Sequence, residues 1–144
     1  MKQEKHPEHL HFVSRLMGLS LTLQMINKNL ETKYGLSIVQ WSLLKTLLNM
    51  PTVSPQVLAK ALGVTPGTLS QTLGRLSRKR YLFICDDPTD ARKKMISITR
   101  LGRDALVAAS TEYDLVFSEI ETVNDNIGQI DDFLKNKVRV RLLR

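Results

Sequence analysis

Twice in quick succession the chain sets a hydroxyl side chain directly before a proline, at Ser54-Pro55 and at Thr65-Pro66. Serine or threonine at a helix N-cap accepts a hydrogen bond from the first turn, and proline fits the first helical position, where its missing N–H is not needed. Each pair therefore starts a helix. Gly63 lies between them, where a tight turn needs a residue tolerant of positive φ. The first helix must end near Leu62 and the second runs over residues 65–79. Two short helices joined this closely form a helix-turn-helix. Ala59 supplies the small residue where the helices touch, and Leu69 supplies the apolar plug. Leu58, Leu62, Val64 and Leu73 fill the rest of a small core. On this segment alone, an ordinary helical hairpin is the competing reading.

The flanking segments enlarge the pattern. Phe12, Leu16, Leu19, Leu23, Ile26 and Leu30 recur at alternating spacings of four and three, which predicts a long helix over residues 9–33. Leu10, Val13, Met17 and Leu21 add apolar residues on other sides, so this helix calls for burial on more than one face. Gly35 and Ser37 suit a left-handed stop and a new N-cap. Ile38, Trp41, Leu44, Leu47 and Leu48 form the apolar face of the next helix, which breaks at Pro51.

After the helix-turn-helix, residues 81–85 and 95–98 read as strands. The charged residues 86–94 between them read as the exposed tip of a hairpin. Thr99 caps a further helix expected to reach about Asn124, Asn126-Ile127-Gly128 reads as a break, and Ile130, Leu134, Val138 and Leu142 stripe a last helix. The fold class is mainly α with a small β-hairpin wing: a winged helix-turn-helix with long terminal helices. Residues 36–99 form the expected reading region, flanked by residues 1–35 and 100–144, and a second chain could cover the outer face of the first helix.

Charge points the same way. The 144 residues carry a net charge of +7. Between residues 75 and 103 nine basic residues face three acids, whereas residues 112–132 hold no Lys or Arg. The middle of the chain is suited to an anionic partner. With Leu69, Leu73 and Leu76 inward, helical periodicity turns Gly67, Thr68, Gln71, Gly74, Arg75 and Arg78 outward. Gln71 matches the adenine edge, and Arg75 matches guanine or phosphate. Thr65, Thr68 and Ser70 are short donors near a helix N-terminus, where free amides favour phosphate. In the hairpin, Arg92 suits a narrow minor groove, with Asp90 placed to orient it by a bidentate pair. Lys79, Lys93 and Lys94 suit phosphates. The expected partner is double-stranded DNA.

Residues 36–106 resemble the MarR (multiple antibiotic resistance regulator) family of winged-helix repressors. The resemblance is carried by Ala59-Lys60-Ala61-Leu62-Gly63-Val64-Thr65, by Arg75-Leu76, by Asp86-Asp87-Pro88-Thr89-Asp90-Ala91-Arg92 and by Ile96-Ser97-Ile98-Thr99-Arg100-Leu101-Gly102. It implies a homodimer held by the terminal helices, with the helix over residues 65–79 in the major groove and Arg92 in the minor groove. It also implies a regulator, by default a repressor, acting on a near-palindromic operator. Two positions depart from the family pattern. Arg80 stands where many members place glycine at the end of the recognition helix; arginine in a left-handed position costs energy, so the expectation is either a different helix end or an Arg80 contact with phosphate. Ala91 stands at a site often basic, which implies one fewer wing charge.

Phe12, Met17 and Trp41 are candidates for an effector pocket, with core packing as the alternative. His6, His9 and His11 have no second ligand group, so no metal is expected, and no cofactor either. Cys85 sits in an apolar strand followed by two aspartates that suppress thiolate. A lone cysteine fits a reducing cytoplasm. No apolar run approaches the roughly 18 residues of a membrane span, and the N-terminus is not expected to be a signal peptide. Neither a Ser-His-Asp set, a phosphate loop nor converging carboxylates are present, so an enzyme is not expected. The alternatives are a winged-helix module that binds protein, and a metal- or thiol-responsive version of the regulator.

Overall fold

The structure is a computed structural model that describes residues 8–118 and 121–138, with side chains over residues 10–118 and 124–136. In chain order the elements are α1 (Glu8–Tyr34), α2 (Ile38–Asn49), α3 (Pro55–Leu62), α4 (Pro66–Arg78), β1 (Leu82–Asp87), β2 (Asp90–Ile98), α5 (Arg100–Phe117) and α6 (Glu121–Phe133), followed by a π-helical turn (Leu134–Val138). The chain divides into two compact units, residues 1–109 and 110–144.

In the first unit α2, α3, α4 and α5 each start at a local capping signal. Ser37 and Gln40 form a reciprocal capping box at the start of α2. Ser54 and Thr65 cap α3 and α4 through their side chains, each with proline in the first turn. Gly63 takes φ 63° and closes the turn between α3 and α4. Thr99 caps α5, its hydroxyl accepting the Gly102 N–H at 3.1 Å. Asn27 reaches from α1 to accept the Ile38 N–H at 2.7 Å, fixing the entry to α2.

The core gathers Leu36, Leu43, Leu44, Leu47, Leu58, Leu69, Leu73 and Leu76 beneath the base of the hairpin, where Leu82, Ile96 and Ile98 are buried. Leu106 and Ala109 of α5 are buried as well. Val53 and Ile96 exchange two backbone hydrogen bonds, of 3.1 and 2.9 Å, so the α2–α3 connection is stitched to the wing. Gly102 is required by close approach, since a Cβ there would collide with the Tyr81 carbonyl oxygen. In the second unit, the Tyr113 and Phe117 rings lie 6.4 Å apart.

Three expectations change. The strands are longer than residues 81–85 and 95–98, because pairing continues through the charged segment to Asp87↔Asp90 and leaves only Pro88 and Thr89 in the turn. Arg92, Lys93 and Lys94 therefore stand on β2 and not on a loop. The Asp87 carboxylate makes the short turn, accepting the Thr89 N–H at 2.8 Å and the Thr89 hydroxyl at 2.6 Å, and Lys94 pairs across the ladder with Asp86. Cross-strand ion pairs stabilise a strand segment that has no apolar face. Second, α5 ends at Phe117 and not near Asn124. Third, α6 runs unbroken through Asn126-Ile127-Gly128; an isolated glycine costs only about 1 kcal/mol inside a helix. Leu142 of the expected last stripe lies outside the described residues.

Candidate nucleic-acid interface

Helix α4 separates its residues cleanly into two faces. Leu69, Thr72, Leu73 and Leu76 are buried. Gly67, Thr68, Ser70, Gln71, Gly74, Arg75 and Arg78 are exposed, as the helical period required. A Cβ on Gly74 would meet nothing within 4 Å, and one on Gly67 would meet only the Thr65 hydroxyl. Neither glycine is therefore needed for packing within the chain. Their effect is outward: they leave a low strip along the helix where another surface can approach the backbone.

The polar groups of this face have defined states. Thr65 Oγ1 accepts the Thr68 N–H at 3.2 Å and donates to Thr68 Oγ1 at 3.0 Å. That leaves the Thr68 hydroxyl hydrogen to point elsewhere. Thr72 turns back on the Thr68 carbonyl at 2.8 Å and is spent internally. The side chains of Ser70, Gln71, Arg75 and Arg78 have no partner among the described residues. An open cleft of about 290 Å³ beside this face is lined by Glu31, Gln40, Arg75, Arg78 and Lys79. Lys79 is half-buried, and its ammonium donates to the Gly35 carbonyl at the end of α1. This contact links the end of α4 to the end of α1, which residue spacing could not disclose.

On the wing, the Arg92 side chain is 95% exposed. Asp90 holds it by a single Nε–Oδ1 approach of 3.5 Å, not by the bidentate pair expected, because the same Oδ1 also accepts the Arg92 N–H at 3.1 Å. Lys93 lies 4.0 Å from the other Asp90 oxygen. Hydrogen bonds from the Thr89 side chain and backbone hold the Asp87 carboxyl below its usual 3.8, so the turn that presents these cations is firmly charged at neutral pH. Sequence reading missed the Asp87–Thr89 pair. The signal was there, in an aspartate two residues before a hydroxyl with proline between, the composition of a side-chain-closed turn.

The remaining candidates are dispersed. Trp41 is buried on α2 beneath Lys45, whose ammonium lies 4.5 Å from the ring centroid. Phe12 and Met17 are exposed on α1. The cleft beside α4 includes none of the three, and neither does an open cleft of about 740 Å³ between the α3 start and the wing. Cys85 is half-buried on β1, opposite Met95. His6 and the side chain of His9 lie outside the described residues. Among the described residues no group of three metal-ligating side chains occurs, and no described helix is long and apolar enough to cross a membrane.

A helix-turn-helix followed by a two-stranded wing defines the winged-helix class. Residues 34–93 match the family model of the MarR family, a span containing every proposed contact residue except Lys94. Solved structures agree on the fold. Reduced AbfR bound to DNA superposes with a TM-score of 0.73 at 20% identity, covering 96% of this chain and 99% of that one. The Staphylococcus aureus MepR–DNA complex gives 0.70 at 22%, covering 83% and 95%. PcaV from Streptomyces coelicolor, complexed with its natural ligand, gives 0.65 at 19%, covering 92% and 96%. No curated protein sequence matches the chain significantly. The chain is therefore similar to the MarR family over residues 34–93 and has the winged-helix fold of these solved structures.

Proposed function

We propose that this chain is a transcription regulator that acts as a cytoplasmic homodimer on a near-palindromic operator in double-stranded DNA, and that its default action is repression. Residues 1–35 and 100–144 supply the dimerisation helices, and residues 36–99 read the duplex. Helix α4 enters the major groove, where Gln71 and Arg75 meet base edges and Thr65, Thr68 and Ser70 meet bases or nearby phosphates. Arg92, steered by Asp90, reaches into the minor groove. Arg78, Lys93 and Lys94 hold phosphates, and Lys79 contributes from the end of the helix. The observation that carries this reading is the outward strip of α4. It is built of two glycines and unpartnered polar side chains, a surface with no role inside the chain and the chemistry of base and phosphate recognition.

Two copies would set the recognition helices about 34–36 Å apart, one turn of DNA. Selection of bound sequences from random duplex DNA tests this directly. Enrichment of a near-palindrome with half-sites one turn apart supports the reading, and recovery of no palindrome overturns it. PcaV is complexed with a natural ligand, which makes release by a small molecule the expectation for this chain too. Screening a small-molecule library for release of the selected complex tests that extension.

A further inference from the structure

Among the described residues, three take a left-handed backbone, each just past the end of a helix: Gly35 at φ 69°, Gly63 at φ 63° and Arg80 at φ 60°. Glycine adopts this conformation freely because it has no Cβ. Arginine does not, since its Cβ crowds the following carbonyl. The chain thus meets the same geometric need twice with glycine and once with a long cationic side chain.

Arg80 cannot relax out of this conformation. Its N–H donates to the Ser77 carbonyl at 2.9 Å, and the Tyr81 N–H donates to the Leu76 carbonyl at 3.0 Å, which together close the end of α4 in a Schellman motif. From the far side, the Thr99 hydroxyl donates to the Arg80 carbonyl at 2.8 Å, and the Thr99 N–H donates to the Tyr81 carbonyl at 3.0 Å. These bonds tie α4, β1 and the start of α5 into one knot, and the knot dictates the backbone at residue 80. Nothing in it uses the side chain. Arg80 is exposed, and its guanidinium has no ion pair or hydrogen bond among the described residues. Nearby along the knot stand more exposed cations, Arg78 two residues earlier and Arg100 next to Thr99. A further cation here is unfavourable in the free protein and becomes favourable only beside an anion.

We propose that Arg80 grips a backbone phosphate of the bound duplex, at the sugar–phosphate ridge between the groove that holds α4 and the groove that Arg92 probes. This rests on the DNA-binding reading above. Residue 80 links the two reading elements, one step past the Lys79 cap of α4 and two before β1 begins at Leu82. Adjacent grooves are separated by a single phosphate ridge, and a planar guanidinium fork suits its oxygens.

The test uses the full-length protein and a fluorescent mixed-sequence duplex of about 30 base pairs, long enough for two half-sites. Arg80→Gly removes both the backbone strain and the charge. Arg80→Asn also tolerates the left-handed region and is neutral, and Arg80→Lys keeps the charge. The Gly and Asn variants are expected to melt no lower than the parent. They should bind about 3- to 10-fold more weakly near 0.1 M salt, and the slope of log affinity against log salt should be shallower by about 0.9, one phosphate contact. Arg80→Lys should keep the parental slope. A residue with a purely structural role could not lose affinity while holding or gaining stability. If the Gly and Asn variants keep parental affinity and slope while Arg92→Ala binds more weakly, the Arg80 contact is refuted and the DNA reading stands. If the parent itself ignores the duplex, both fall.

Discussion

Replacing Leu21 with alanine should leave the folded chain intact and take apart the proposed dimer. Along α1, Leu10, Val13, Met17, Leu21 and Met25 recur every three or four residues, exposed by 53, 45, 61, 59 and 67%. No element of the first unit covers this stripe. If a second copy covers it, Leu21 withdraws the remaining 59% of its surface from water. Full burial of a leucine is worth about 1.5–3 kcal/mol, so the remaining share is about 1–2 kcal/mol. A two-fold interface counts the residue twice, giving about 2–4 kcal/mol per dimer and a dissociation constant raised about 30- to 800-fold. Alanine is the better helix former, so the circular dichroism of α1 should not fall. Sedimentation equilibrium over a dilution series reads the constant, with Arg15→Ala, off the stripe, as control. A Leu21→Ala dissociation constant within about threefold of the parent's would refute the claim that this stripe is the dimer seam.

Further outcomes follow from the wing and its base. Arg92→Ala removes an almost fully exposed side chain held by one carboxylate oxygen; thermal stability should be unchanged, while operator affinity falls and its salt slope shallows by about 0.9 in a fluorescence titration. Gly102→Ala drives a Cβ against the Tyr81 carbonyl oxygen, and a strain of about 1–3 kcal/mol should lower the calorimetric midpoint by several degrees. Asp87 has a depressed folded-state pKa, so its contribution is fully present above the ordinary 3.8 and is lost as pH falls through the lower folded value. The Thr89 amide resonance should report that loss below pH 3.8, and Thr89→Ala should move the titration back up toward 3.8.

The helical part of this fold was legible because its punctuation is local. Ser37, Ser54, Thr65 and Thr99 each cap the helix that follows, and Gly35 and Gly63 each take the left-handed turn the sequence demanded. The outward face of α4 followed from three buried leucines and the helical period alone. Reading failed where side chains determine structure against hydrophobic pattern. Asp86, Lys94, Asp87 and Thr89 build a polar ladder and turn out of residues that resemble a loop. The contact of Lys79 with the Gly35 carbonyl, 44 residues away in the chain, was likewise invisible to residue spacing. The end of α5 was overextended because the apolar period of residues 106–120 continues past Phe117, where the helix stops.

That Lys79 tie has a mechanical consequence. One end of the bond is the last turn of α1, and the other is the residue that closes α4. Asn27 pins the same corner through the Ile38 amide. A tilt of the long first helix would act on the end of α4 through these two contacts, and in the proposed complex would change the pitch at which α4 meets the bases.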